Sequence, residues 1–142
     1  MKFSIIIPTW NNLKYLKILL NSIKKNSKYE HDVNVHVNEG SDGTIEYLRN
    51  NGIKFNHSAE NLGLCKGANS AASLAETDYI IYTHDDMYFL PFWDFFLTEE
   101  IKKVKTNLYY FSTKNAVGIF LDTCLKKACL LINSVGQLFP QK

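Results

Sequence analysis

The chain opens with a run of apolar residues followed by an amphipathic stretch. Residues 3–7 (FSIII) are almost continuously apolar and Pro8 stops the run, which predicts a central parallel strand. The next segment predicts a helix, because apolar residues recur at helical spacing with lysines between them. Either Asn11 or Asn12 can cap its start. The apolar positions are Leu13, Leu16, Leu19, Leu20 and Ile23.

The same alternation repeats three more times along the chain. Further strands are predicted at residues 33–37, 53–55 and 79–82, and helices are predicted around residues 45–48, at 68–75 and at 91–105. Pro91 suits the first turn of the last helix. Four βα units in succession predict an α/β fold with a mainly parallel, Rossmann-like sheet and helices on both faces.

The C-terminal part departs from this pattern. Residues 117–132 carry apolar residues at helical spacing, so we predict a domain over residues 1–113 and a helical tail over residues 114–142. The apolar face of the tail suits either a partner subunit or a membrane surface, and the pair Lys126 and Lys127 permits the peripheral membrane contact.

Composition narrows the class of protein. The chain has 142 residues, 46% hydrophobic and 21% charged, which is typical of one soluble globular domain. The net charge of +2 and the lack of a dense Lys/Arg block argue against a nucleic-acid partner.

The cysteines and the apolar runs bear on the location of the protein. The spacing of Cys65, Cys124 and Cys129 fits neither a disulfide framework nor a metal site, which favours a reducing cytosol. No apolar run reaches the roughly 18 residues of a membrane span, so we expect a cytoplasmic protein whose membrane contact, if present, is peripheral.

Candidate chemistry lies where the predicted strands end. Asp85 and Asp86 follow the fourth strand directly, at the edge where open α/β sheets bind ligands. Because magnesium is usually bound by one or two carboxylates together with substrate phosphates, this pair is chemically sufficient to hold it. The alternative interpretation is a polar turn that caps the following helix.

Polar residues also follow the first two strands, and Trp10 stands among them. Thr9 and Trp10 end the first strand, and Asn38 and Glu39 end the second. An exposed aromatic beside hydrogen-bond acceptors suits a planar base. The alternative is that Trp10 belongs to the core, since large aromatics bury well.

Four segments together resemble the ordered motifs of family 2 glycosyltransferases with the GT-A fold. They are residues 3–11 (FSIIIPTWN), 37–44 (VNEGSDGT), 61–71 (NLGLCKGANSA) and 84–94 (HDDMYFLPFWD). Each motif is weak alone, but four in the correct order and spacing are strong. The resemblance implies a UDP- or GDP-sugar donor and a divalent cation, Mn²⁺ or Mg²⁺, that bridges the donor diphosphate and the aspartate motif. Residues 107–113 also resemble the strand that follows the donor site.

The resemblance implies roles for individual residues of the site. Asp86 is the expected metal ligand, and Asp85 is expected to contact ribose or a metal-bound water. His84 stands where the first aspartate of an Asp-x-Asp motif often lies, but histidine suits a hard cation less well. The pair of residues 38 and 39 is Asn-Glu rather than Asp-Asp, which leaves the identity of the base open. The expected donor-binding residues are Pro8, Thr9, Trp10, Asn38, Glu39, Lys66, Asn69 and Asp85.

The catalytic base is not identified by the sequence. Inverting transfer requires a base within reach of the acceptor hydroxyl, and the family supplies it from beyond the aspartate motif. Glu99 and Glu100 fall on the solvent side of a predicted helix, and Asp122 matches no motif. We therefore expect a shortened family member that retains the donor-binding half.

Three functions fit these patterns. The first is a metal-dependent, inverting glycosyltransferase that acts on a glycan, lipid or protein hydroxyl. The second is a noncatalytic nucleotide-sugar-binding remnant. The third is another α/β nucleotide-binding enzyme, such as a nucleotidyltransferase, although the chain has no glycine-rich phosphate loop after its first strand.

Overall fold

The computed structural model describes residues 1–103 and 130–133, and these form the predicted alternation of strands and helices. The amino-terminal half contains β1 (Ser4–Trp10), α1 (Leu13–Asn26), β2 (Asp32–Asn38), α2 (Thr44–Asn50) and β3 (Lys54–Ser58). These are followed by α3 (Gly63–Ala72), β4 (Tyr79–Tyr82), α4 (Trp93–Lys103) and β5 (Leu130–Asn133). The prediction of an α/β fold is confirmed.

The sheet has the order β3-β2-β1-β4-β5, with the first four strands parallel and β5 antiparallel to β4. Trp10 at the end of β1 lies opposite Asn38 at the end of β2. Because β1, β2 and β4 run in the same direction, the loops after them meet at one edge of the sheet. We refer to this edge as the carboxyl edge.

Helices cover both faces of the sheet. Ile5 and Ile7 of β1 belong to the larger hydrophobic cluster, which includes buried residues of α1 and α4. Ile6 points the other way and packs with Ala68 and Ala71 of α3. The alternation of side chains along a strand accounts for this division. Among the described residues, no helix is long and apolar enough to cross a membrane.

Helix α3 lies very close to the sheet because Gly67 has no side chain. A Cβ placed there would lie 3.1 Å from Cδ2 of His36 and 3.4 Å from Cβ of Pro8. The His36 ring is 1% exposed and is held by hydrogen bonds to Asn56 and Ser58. Gly67 therefore allows the close packing, and it lies outside the predicted helix of residues 68–75, because α3 runs from Gly63 to Ala72.

Several element boundaries differ from the predictions. β3 extends to Ser58 because its polar residues 56–58 pair with β2. α4 begins at Trp93 rather than at Pro91, since Phe92 has a left-handed φ of 61° that the helix cannot include.

The tail prediction is wrong for residues 130–133. Helical spacing predicted a helix through Ile132, but Leu130–Asn133 pair with the outer edge of β4, whose backbone groups would otherwise lack strand partners on that side. Residues 104–129 and 134–142 lie outside the described residues. They include the strand-like segment 107–113, Asp122 and the rest of the tail, so the domain boundary and the tail contact stay predictions.

Asp32 connects several segments at the amino-terminal edge of the sheet through hydrogen bonds. Its carboxylate accepts hydrogen bonds from Ser4 Oγ (2.7 Å), Lys54 Nζ (3.0 Å) and the backbone N–H of Glu76 (3.0 Å). Burial alone raises the pKa of Asp32, but these bonds and one from Asn34 outweigh it and lower the pKa to about 2. Asp32 therefore stabilises the fold as a carboxylate at the end of the sheet opposite the carboxyl edge.

Helix α4 is anchored by Asp94, which is fully buried. Its carboxylate accepts the backbone N–H groups of Lys28 (2.9 Å) and Tyr29 (2.8 Å). It also lies 3.1 Å from Nε2 of His31, whose Nδ1 accepts the backbone N–H of Phe3 over 3.3 Å. With Nδ1 as an acceptor, the His31 ring is neutral and donates from Nε2. Burial lowers the pKa of His31, and Asp94 opposes this only in part.

Candidate functional site

The carboxyl edge presents an exposed aromatic side chain. Trp10 is 55% exposed, so the structure favours the prediction of a surface aromatic over that of a core residue. Directly after it, Asn11 has a left-handed φ of 45°, which turns the chain away from β1. The indole therefore stands at the edge with a free surface.

Asp85 is held in place by two neighbours. Oδ2 accepts a hydrogen bond from Thr9 Oγ1 over 2.6 Å, and Oδ1 accepts one from Asn12 Nδ2 over 3.0 Å. Thr9 is buried at the end of β1, and Asn12 precedes α1. Both carboxylate oxygens are thus oriented by rigid elements.

Asp86, unlike Asp85, is not held by neighbouring side chains in the described part of the chain. Its side chain is exposed, and no other described residue donates a hydrogen bond to it. Among the described residues, no three His, Cys, Asp or Glu side chains come together as a metal site. The available donor set is an exposed carboxylate beside a fixed one, which fits a hard cation that takes its other ligands from phosphate and water.

His84 has a partner of its own. Its Nε2 lies 3.2 Å from the hydroxyl of Tyr82, and the two rings meet edge to face. Burial raises the pKa of Tyr82 to about 12, and electrostatic interactions with Cys65 and Asp85 add to the effect. Tyr82 is therefore a neutral phenol that can donate to Nε2, which leaves that nitrogen engaged.

Asn38 and Glu39 differ in their accessibility. Asn38 is 3% exposed, and its amide spans two segments: Nδ2 donates to the carbonyl of Thr9 (3.3 Å) and Oδ1 accepts the N–H of Leu62 (2.8 Å). Glu39 is exposed, with a left-handed φ of 59°. Of this pair, Glu39 has the side chain that is accessible at the carboxyl edge.

Hydrogen bonds join some of the predicted site residues directly. Hydrogen bonds connect Asp85 to Thr9, and Asn38 to the same residue's carbonyl. Pro8 is buried beneath α3. Lys66 is exposed on α3, and Asn69 is half-buried on the same helix. Donor contacts by these residues stay predictions.

Sequence reasoning missed the roles of Asn11, Asn12 and Asp42. Asn12 is the N-cap residue of α1, but its side chain makes no capping bond. Instead, Asp42 Oδ2 accepts the N–H of Leu13 over 2.8 Å, while Oδ1 accepts Thr44 N–H (3.1 Å) and Oγ1 (2.7 Å). One carboxylate therefore caps both α1 and α2. The Asp-Gly-Thr sequence signals the local cap of α2, whereas the cap of α1 joins residues 29 positions apart and has no local signal.

Burial alone raises the pKa of Asp42. The hydrogen bonds from the Thr44 side chain and from the N–H groups of Leu13 and Thr44 outweigh this effect and lower the pKa. Asp42 is therefore a carboxylate when it caps the two helices.

Glu99 and Glu100 of α4 are not good candidates for the catalytic base, because each pairs with a lysine of its own helix. Glu99 pairs with Lys102 over 2.7 Å and Glu100 with Lys103 over 2.5 Å, in both cases along the helix surface. The prediction that they are solvent-facing is confirmed. Asp122 lies outside the described residues.

Comparison with known proteins identifies the family. Residues 4–118 match the family described as Glycosyl transferase family 2. The chain belongs to this glycosyltransferase family. Abequosyltransferase RfbV of Salmonella typhimurium is 37% identical over an alignment of 95 residues that covers 61% of this chain and 28% of that protein. The poly(ribitol-phosphate) beta-N-acetylglucosaminyltransferase TarS of Staphylococcus aureus is 34% identical over an alignment of 95 residues that covers 62% of this chain and 17% of TarS.

Solved structures give the same fold. The complex of S. aureus TarS 1-349 with UDP has a TM-score of 0.67 at 28% identity, covering 84% of this chain and 37% of that one. The mannosyltransferase PcManGT from Pyrobaculum calidifontis, in complex with GDP-Man and Mn²⁺, has a TM-score of 0.56 at 21% identity and covers 61% of this chain and 28% of that one. The predicted GT-A fold is thereby confirmed. The chain spans less than a third of the length of the two curated relatives.

Proposed function

We propose that this glycosyltransferase family member binds a nucleotide-diphosphate sugar at its carboxyl edge and transfers the sugar to a hydroxyl acceptor. The observation that carries the proposal is the unequal state of the two adjacent aspartates. Asp85 is fixed through both oxygens, whereas Asp86 is exposed and has no donor among the described residues. A fixed carboxylate beside a free one suits a ligand that combines a hydroxyl-bearing ribose with a metal-bound diphosphate.

The nucleoside is assigned to the β1 and β2 ends of the edge. The exposed face of Trp10 offers a stacking surface for a planar base. The Glu39 carboxylate can accept a hydrogen bond from a base N–H, a group that uracil and guanine both carry. The complexes of TarS with UDP and UDP-GlcNAc support a nucleotide-sugar donor.

The divalent cation is assigned to Asp86. Mn²⁺ or Mg²⁺ held there would stabilise the negative charge that builds on the diphosphate as the sugar departs. The exposed carboxylate fits such an ion, because Mg²⁺ is usually bound through one or two carboxylates together with substrate phosphates and water. The role of this chain's residues is to hold the donor: Asp86 accepts the ion, Asp85 orients the ribose side, and Lys66 supplies positive charge near the phosphates.

An inverting reaction would need a base for the acceptor hydroxyl, and the described residues offer no candidate near Asp86 beyond those that bind the donor. A second candidate function is therefore donor binding without transfer. This function is favoured because Glu99 and Glu100 are paired with Lys102 and Lys103 on the solvent-facing surface of α4.

Calorimetric titration of UDP and GDP, with and without Mn²⁺, tests the binding proposal. We expect binding that depends on the metal and is weakened by about tenfold or more in Asp86→Asn, because one charged ligand is lost. Glu46→Gln, which neutralises an exposed carboxylate on α2, is the matched control and should bind as the unmodified chain does. A folded chain that binds neither nucleotide would overturn the proposal.

Turnover distinguishes the two candidate functions once binding is established. Release of UDP from UDP-GlcNAc in the presence of candidate acceptors, at a rate above that of Asp86→Asn, would support a transferase. Metal-dependent binding with no such release would support the donor-binding module.

A further inference from the structure

We propose that Asn11 and Asn12 are positioning residues, each of which fixes the carboxylate of one side of the donor site. Asn11 fixes Glu39 on the side assigned to the base, and Asn12 fixes Asp85 on the side assigned to ribose and metal. This inference rests on the proposed donor site. It adds that the two consecutive amides control different parts of donor recognition.

The Asn12 amide donates into the site and does not cap its helix. An asparagine at an N-cap normally accepts, through its side-chain oxygen, a hydrogen bond from the second or third residue of the helix. Asn12 makes no such bond, and the N–H of Leu13, the first residue of α1, donates to Asp42 Oδ2 over 2.8 Å. The Asn12 Nδ2 donates to Asp85 Oδ1 over 3.0 Å. Asn12 therefore serves the site through the donor end of its amide.

Asn11 is fixed by both ends of its amide. Oδ1 accepts the N–H of Ser41 over 2.9 Å, and Nδ2 donates to Glu39 Oε2 over 3.1 Å. An inverted amide would lose both bonds, so the donor end must face Glu39. The Glu39 backbone is fixed independently, because its N–H donates to Ser58 and its carbonyl lies 2.8 Å from His57 Nε2.

The backbone conformation of Glu39 is uncommon. Asn11 and Glu39 both have left-handed φ values, 45° and 59°; asparagine adopts this conformation readily, whereas for glutamate it costs energy. Their hydrogen bond is exposed, so it contributes little to stability in compensation. The bond joins the two side chains at the carboxyl edge and orients the Glu39 carboxylate.

The two asparagines should have separable effects. Loss of the Asn12 amide leaves Asp85 with Thr9 as its donor and should weaken every nucleotide by the same factor. Loss of the Asn11 amide frees the Glu39 carboxylate and should change the ratio of UDP to GDP affinity, since the two bases present different N–H groups to it.

The test compares Asn11→Gly and Asn12→Ala by calorimetric titration of UDP and GDP with Mn²⁺. Glycine keeps the left-handed backbone of residue 11 without the amide, and alanine removes the Asn12 amide without placing a charge beside Asp85. Asn51→Ala, which removes an exposed amide at the end of α2, is the matched control. Thermal unfolding of each variant verifies that it folds, and Asn12→Ser, which keeps a favoured N-cap residue, replaces Asn12→Ala if the latter does not.

We expect Asn12→Ala to weaken UDP and GDP equally, by about tenfold, as loss of a hydrogen bond to a charged group predicts. Asn11→Gly should change the UDP to GDP ratio by more than about threefold. If the unmodified chain binds while both variants keep its affinities and ratio, the positioning roles are overturned and the donor site stands. If the unmodified chain binds no nucleotide, the proposed function itself falls.

Discussion

Thr9 donates from Oγ1 to Oδ2 of Asp85 over 2.6 Å and so joins the end of β1 to the loop after β4, across 76 positions of sequence. The hydroxyl is buried, and the carboxylate it orients is one of the two that the chain presents after β4. This bond makes the position of Asp85 depend on the pairing of β1 with β4. The geometry of the proposed site is therefore sensitive to a residue that a ligand need not touch.

Thr9→Val should weaken donor binding as well as stability. Valine keeps the shape of threonine but removes the donor, so Asp85 loses one of its two orienting bonds. We expect nucleotide affinity to fall by about tenfold and unfolding free energy by about 1–2 kcal/mol. Titration calorimetry and urea unfolding measure the two effects. Thr9→Ser retains the hydroxyl and should restore affinity, and equal affinities for the valine and serine variants would contradict the assigned role.

Gly67→Ala should destabilise the protein even though alanine is the better helix former. An exposed helical Gly→Ala change usually gains about 1 kcal/mol. Here the added methyl would meet His36 Cδ2 at 3.1 Å and Asn38 Nδ2 at 3.3 Å, and the buried, hydrogen-bonded His36 ring cannot move aside. We expect a net loss of about 1–3 kcal/mol in chemical denaturation. Cys65→Ala, on the exposed side of α3, should change stability little. A stability gain in Gly67→Ala would show that α3 is free to shift.

His31 should make stability fall in mild acid. Burial lowers the pKa of His31 in the folded chain, whereas the unfolded chain titrates near 6.5. The unfolded state therefore binds the proton more readily, and the stability present above about pH 6.5 is lost as the pH falls towards the lowered folded pKa. Urea unfolding between pH 8 and pH 5 should show this loss. His31→Gln should reduce the slope, and His57→Gln, an exposed histidine, should retain it. An unchanged slope in His31→Gln would assign the effect to another group.

Asp32→Asn should destabilise the sheet at neutral pH. Burial alone raises the pKa of Asp32, but hydrogen bonds lower it to about 2, so the folded state favours the carboxylate. The resulting stability is present above about pH 4 and is lost as the pH falls towards 2. We expect the variant to lose about 2 kcal/mol at pH 7 and to differ less from the unmodified chain near pH 3. The exposed Asp78→Asn is the matched control in both unfolding series. Equal stability of Asp32→Asn and the unmodified chain at pH 7 would contradict this account.

The sequence by itself determined the order of strands and helices over residues 1–103, the parallel pairing of the first four strands and the family. Local patterns carry these features: an apolar run such as residues 3–7 reports a strand buried on both faces, and the helical spacing of Leu16 and Leu19 reports a helix with one buried face, whatever their partners. The aspartate pair at residues 85 and 86 was also visible, since polar residues directly after a buried strand must lie at the sheet edge.

The tertiary structure alone decided how the site is arranged. Asn12 was predicted as a possible helix cap, yet its side chain makes no capping bond and donates to Asp85, while Asp42, 30 positions later in the sequence, accepts the Leu13 N–H. Asn38 was expected to bind the donor, and the structure buries its amide between Thr9 and Leu62. Spacing along the chain indicates which side chains can lie at the carboxyl edge of the sheet. Which of several equally suitable donors and acceptors pair there depends on how the strands and loops pack in three dimensions.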